Sequence, residues 1–279
     1  MSTLLVKDGD GNQVYLQVGG AGTITDPYIS VSEPISTQLA LGNVYGRTNG
    51  RKFGRNIALT TSERVVSVGS TSAIPYFPTA AQAVEVISSD ANDITGGTGA
   101  TKIFVTGLDG SWNTVTETVA MNGTGVQALA NTYLRINSAY VTETGTYSGT
   151  NVGTITLRVG GAGTTFVQIA IGKGQTQTTA YAVSAGHTLL VNDVHFNVET
   201  TKTVSFEFKQ ITGRNDVTTP YGGALRIVQD YDGMVAPIEF DYSTHPFIFE
   251  EYTDIYFTGT AAASATIASI EYSLMLIEN

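Results

Sequence analysis

The sequence predicts an all-β protein of antiparallel strands, and three observations predict it. Gly accounts for 31 of 279 residues, and Thr and Ser are abundant. That mixture suits many strands joined by tight turns, because Gly supplies positive φ and Thr fits a pleated surface. Long runs of Ala, Leu, Glu and Lys at helical spacing are absent. Short stretches alternate apolar and polar residues between turn signals, the mark of strands with one face in a core. Many such strands without intervening helices predict a sandwich, with a jelly roll as the specific expectation.

The elements follow in chain order. Leu4-Leu5-Val6 and Val14-Tyr15-Leu16 flank Asp8-Gly9-Asp10-Gly11-Asn12, which is turn chemistry and predicts a hairpin. Residues 1–33 therefore read as a small N-terminal β unit, too short to hold its own core. Residues 34–82 read as an extended arm or linker. Gly46-Arg47-Thr48-Asn49-Gly50-Arg51-Lys52-Phe53-Gly54-Arg55 has neither helical nor strand periodicity, and Pro75 and Pro78 close the segment.

Residues 83–279 read as one sandwich, jelly-roll-like. Its expected strands are 84–87, 103–106, 115–121, 134–141, 154–159, 167–171, 179–183, 189–198, 203–209, 225–229, 237–242, 254–257 and 268–277. The alternation is clearest where Val204, Phe206 and Phe208 oppose Ser205, Glu207 and Lys209. It recurs where Leu190, Val194, Phe196 and Val198 oppose Val191, Asp193, His195 and Asn197. The hexapeptide Val-Gly-Gly-Ala-Gly-Thr occurs at 18–23 and 159–164, and reads as reuse of a convenient turn.

Composition narrows the function classes. Hydrophobic residues make up 42%, enough for a sizeable core, and charged residues only 14%. A net charge of −10 speaks against direct nucleic-acid binding, which needs an excess of Lys and Arg. Zero cysteines exclude disulfides, thiolate catalysis and Cys-based zinc sites. The opening MSTLLVKDGDGN shows no signal-peptide pattern, and no apolar run is long enough for a membrane-spanning helix. A protein made and assembled in a cytoplasm, with no membrane partner, is the expectation.

No catalytic, cofactor or metal site is predicted. Gly96-Gly97-Thr98-Gly99-Ala100-Thr101-Lys102 resembles a phosphate loop, but Thr101 rather than Gly precedes the Lys and a strand follows. No G-x-S-x-G elbow accompanies His187, His195 or His245. His195 and Asp193 share a strand face and form the one geometrically plausible ligand pair, while a polar strand surface accounts for both. Asp8, Asp10 and Asn12 open like a calcium loop, yet Gln13 stands where Gly is required and Gly19 where Glu is. Asp230, Asp232, Glu250 and Glu251 are carboxylates of the kind a glycosidase pairs, but the single Trp112 lies in a turn-like loop.

Charge segregation is the feature left over. Arg47, Arg51, Lys52 and Arg55 stand in a stretch without acidic residues. After Arg226 the chain has no Lys or Arg, but carries Asp230, Asp232, Glu239, Asp241, Glu250, Glu251, Asp254, Glu271 and Glu278. A basic arm and an acidic C-terminal region predict a protein–protein contact through those four basic residues, to a second copy or to another protein.

Several stretches resemble virion structural proteins of tailed phages. They are Val6-Lys7-Asp8-Gly9-Asp10-Gly11-Asn12-Gln13-Val14-Tyr15-Leu16 with Asp26-Pro27-Tyr28, and Val105-Thr106-Gly107-Leu108-Asp109-Gly110 with Glu117-Thr118-Val119-Ala120-Met121-Asn122-Gly123. Asn151-Val152-Gly153-Thr154-Ile155, Val183-Ser184-Ala185-Gly186-His187-Thr188 and Tyr252-Thr253-Asp254-Ile255 continue the pattern. Each piece is short, and their order along the chain is more specific than any one of them. The resemblance implies a non-enzymatic β-sandwich component of the virion. Such proteins are commonly homotrimers bound to a major capsid protein or another virion protein. The leading expectation is a capsid decoration or cement protein. The alternative is a tail or fibre component that binds a host surface glycan. No catalytic residue and no cofactor transfers with the resemblance.

Overall fold

A computed structural model describes residues 2–7, 13–19, 29–30, 46–212, 223–235 and 237–279. The chain divides into two compact units, Met1–Thr48 and Asn49–Asn279. All regular structure among the described residues is β, so no helix there is long and apolar enough to cross a membrane.

In the first unit β1 (Ser2–Lys7) pairs antiparallel with β2 (Gln13–Gly19), from Ser2 opposite Val18 to Lys7 opposite Gln13. A two-residue β3 (Ile29–Ser30) adds to β2. The calcium-loop look-alike at residues 8–12 lies outside the described residues.

The second unit carries two principal cores. Nearly all of the elements that surround them are β4 (Arg47–Leu59), β5 (Arg64–Val65), β6 (Gln82–Ser88), β7 (Ala100–Leu108), β8 (Thr114–Ala120), β9 (Gln127–Tyr133), β10 (Arg135–Thr144), β11 (Ile155–Val159) and β12 (Thr165–Ile169). They continue with β13 (Tyr181–Ala182), β14 (His187–Val198), β15 (Val204–Thr212), β16 (Ala224–Met234), β17 (Ile238–Asp241), β18 (Phe247–Phe249), β19 (Asp254–Ala261) and β20 (Thr266–Glu278).

The smaller core lies between sheet β10-β7-β8 and sheet β12-β11-β6-β9, filled by Ile103, Val105, Tyr133, Ile155, Leu157 and Ile169. The larger lies between β13-β19-β15-β16 and β17-β14-β20-β4. Its centre is aromatic: Phe208 stacks on Phe257 at 4.2 Å, and Phe196 meets Phe206 at 4.9 Å. The pairing is nested, β14 with β20 and β15 with β19, which is the jelly-roll-like feature of the fold. Residues 83–279 thus contribute to two cores rather than the one that was expected.

Alternation explains the strands that were expected. Val204, Phe206 and Phe208 are buried while Ser205 and Glu207 are half-exposed. Strand β19 is buried on both faces, because Val65, Ala180 and Ile211 gather with Tyr256 on the side away from the main core.

The segment expected as an extended arm differs most. Residues 47–59 form the thirteen-residue edge strand β4, bonded to β20. It does alternate over 51–56, but the inward positions there are Lys52, Gly54 and Asn56, and only Leu59 at its end enters the larger core. At Gly54 a side chain has no room. A β-carbon on Gly54 would stand 2.4 Å from both the Thr179 methyl and the Val66 carbonyl oxygen. Asn56 instead donates to the Val65 and Ser70 carbonyls at 3.0 and 3.1 Å.

Candidate interaction surfaces and a cavity between the two cores

The four basic residues singled out in the sequence do not act as one set. Arg47 and Arg51 are exposed and Arg55 is half-buried. Lys52 is only 8% exposed, and its ammonium nitrogen donates to the Asn137 carbonyl on β10. Burial lowers its pKa to about 7. Lys52 therefore fastens β4 to the smaller sandwich and is removed from any surface available to a partner.

Part of the expected charge match is made within the chain. Arg51 on β4 bonds Glu271 on β20 at 2.8 Å. Glu271 stands opposite His195 on β14, and His195 opposite Glu239 on β17, so a charged row crosses the whole sheet on its solvent face. His195 Nε2 lies 3.3 Å from Asp193 Oδ1 and 3.5 Å from Glu239 Oε1. Exposed contacts of this kind are individually weak. Held in register by four strands, they present a fixed pattern of charge. The His195–Asp193 pair belongs to this row, and among the described residues no group of three or more His, Asp or Glu side chains is placed to hold a metal ion.

The other look-alikes resolve into structure. Gly97 and Gly99 turn ahead of β7, and the group inside that turn is the buried carboxylate of Asp93. It accepts from the backbone N–H groups of Ala100, Val152 and Gly153 at 2.8–2.9 Å and from the Ser88 hydroxyl. A bound phosphate would meet that negative charge. His187 Nδ1 lies 3.0 Å from the Ser184 hydroxyl and 2.8 Å from the Ala185 carbonyl oxygen, which can only accept. The Gly-rich loop at 159–164 closes on Glu85, which takes the N–H groups of Gly161 and Ala162 and the Arg158 guanidinium. Burial would raise the Glu85 pKa, but these three partners outweigh it and the net shift is downward.

Sequence reasoning missed the residues that join the two sandwiches. Arg135, at the start of β10, makes a two-pronged bond to Asp254 at the start of β19, at 2.7 and 2.9 Å, with both side chains buried. Its Nη1 reaches the Pro78 and Leu134 carbonyls. The guanidinium lies over Phe77 at 4.6 Å and Trp112 at 5.2 Å. Asn137 adds a reciprocal pair with the Ala182 backbone at 3.0 and 2.9 Å. Trp112, 4% exposed and edge-on to Tyr252, is thus part of the joint between the sandwiches rather than a solvent-facing platform.

Beside this joint is a cavity of about 310 Å³, walled by residues 65–77, by β12, by Arg135 to Asn137 and by Thr178 to Ala182. Its lining mixes hydroxyl, carboxamide, aliphatic and aromatic groups. Arg135 is the one charged residue among the described residues that line it.

No protein-family model and no curated protein matches the chain. Among solved structures, the infectious bursal disease virus VP2 subviral particle aligns over 88% of this chain and 77% of its own, at 11% identity and a TM-score of 0.24. The structure of the Gx strain of the same virus aligns over 84% and 73%, at 10% identity and a TM-score of 0.25. Backbones that superpose this poorly transfer neither fold nor role.

Proposed function

We propose that this chain is a non-enzymatic structural protein of a tailed-phage virion, and that it sits on the head as a decoration or cement protein. The observation that carries the reading is the joint between the sandwiches. Arg135, Asp254, Asn137 and Lys52 lock two β cores into one block without using a helix. A shell component must keep its shape while neighbours pull on it, and two sandwiches fixed at a buried joint meet that need. The order of sequence pieces resembling tailed-phage virion proteins supports the same reading. Its partners are then further copies of itself and the major capsid protein. The exposed Arg47 and Arg51, the half-buried Arg55 and the charged row are the surfaces we assign to them.

Quantitative mass spectrometry of purified particles tests this. Decoration requires a copy number comparable with that of the major shell protein. A few copies per particle would move the chain to the tail, and absence from particles would end the structural reading. The tail alternative, recognition of a host surface glycan, is favoured by one observation, the cavity beside the joint, where the charge of Arg135 is matched by Asp254.

A further inference from the structure

We infer that the cavity beside β12 binds a neutral saccharide. The inference rests on the glycan-recognition alternative and goes beyond it by naming the place and the charge class of the ligand.

Charge decides the class. Four of the five N–H groups of Arg135, the one ionic side chain among the described residues that line the cavity, are spent on Asp254, Pro78 and Leu134. Its charge is matched by the Asp254 carboxylate, with Phe77 and Trp112 packed against its plane. No carboxylate lines the space among the described residues. An ammonium entering it would lose water and find no opposite charge there, and a phosphate or carboxylate would find the Arg135 charge already matched by Asp254. A fully apolar ligand would strip water from the hydroxyls of the 67–72 loop and of Thr164 and Thr165. A polyhydroxylated neutral molecule meets both conditions.

The remaining walls fit a sugar ring. Tyr76 and Phe166 stand edge-on at 4.9 Å, both half-buried, and offer aromatic surface to the apolar C–H face of a pyranose. Gln168 donates to the Thr156 hydroxyl at 3.1 Å, which fixes its carboxamide. The carbonyl end of that group lies against Gly69, where a β-carbon would come within 1.9 Å of the oxygen, and Gly69 has φ +71°. Gly suits the turn, and a larger residue there would displace the Gln168 carboxamide. The volume lies at the small end of the range for small-molecule sites and suits one or two sugar rings. A peptide added to the edge of β12 is a poorer occupant, because that strand has five residues and its pairing to β11 slips between Leu157 and Arg158.

The test is a titration of the ¹⁵N-labelled full chain with maltose, lactose and N,N′-diacetylchitobiose, against glucuronic acid and glucosamine as charged controls. Saturable shifts at Gly69, Tyr76, Phe166 and Gln168 with a neutral sugar, and none with the controls, are expected. Tyr76→Ala should weaken binding about tenfold, the equivalent of about 1.4 kcal/mol. Thr165→Trp, on an exposed position at the rim, should block it with the fold retained by circular dichroism. No shift at these residues with any neutral sugar, or equal shifts with the charged ones, overturns the inference. Shifts that map elsewhere also overturn it, and leave glycan recognition standing at another site.

Discussion

At the scale of single residues, Lys52 is the most informative. A lysine buried against one carbonyl, with no carboxylate partner among the described residues, costs stability whenever it must carry a proton. The folded chain binds that proton less tightly than the unfolded chain, since the pKa falls from 10.5 to about 7. Unfolding therefore takes up a proton between those values, and stability should climb as pH rises from about 7 to about 10. Lys52→Met should gain about 1–3 kcal/mol at neutral pH, because the lost bond to Asn137 offsets part of the relief. It should also flatten the climb, as denaturant titrations at pH 7 and pH 9.5 would reveal. Glu85 gives the same direction of pH dependence from the opposite cause, since its charged form is the one the fold favours. Its depressed pKa contributes stability above the ordinary carboxylate range, and that contribution disappears as acid protonates it.

At the scale of elements, the joint between β10 and β19 should behave as a unit. Removing one member, by Arg135→Met or Asp254→Asn, leaves a buried charge without its partner and should cost about 3–5 kcal/mol. The double replacement should cost less than the two single costs added together, and thermal unfolding of the four proteins closes the cycle. Strand β4 offers an independent check. Gly54→Ala drives a methyl into Thr179 and the Val66 carbonyl, and should lower stability by about 1–3 kcal/mol, read from the denaturant midpoint.

For the whole molecule, the prediction concerns assembly. Arg47, Arg51 and Arg55 share the outward face of β4, whereas Lys52 points inward. Replacing the three arginines with Ser, and leaving Lys52 in place, should weaken association with other copies or with the shell and reduce its dependence on salt. Sedimentation at two ionic strengths reads both effects. Association unchanged at both would remove this face from the proposal. Loss of the Arg51–Glu271 bond should by itself alter folding stability little, since that pair is exposed.

The sequence by itself determined the class of fold and most of its strands. Wherever a strand sets apolar residues against polar ones the element is legible, and β14 and β15 were expected within a few residues of where they run. A register shift between Val191 and Asp193, however, buries Val191 and leaves Leu190 half-exposed, the reverse of the expected faces, and Lys209 is buried. Strand β4 was illegible because its inward residues before Leu59 are Lys52, Gly54 and Asn56, positions set by close backbone approach and hydrogen bonding rather than by hydrophobicity. Strand β9 was missed for a related reason, as only Leu129 and Tyr133 of its seven residues are buried. Only the tertiary structure decided that the strands form two cores, since both sandwiches carry the same alternation and nothing local assigns a strand to one or the other. It alone brought Arg135 to Asp254, 119 residues away in the chain, and set the cavity beside them. Alternation is a local property, whereas an ion pair and a cavity belong to segments that meet only after the sheets have closed.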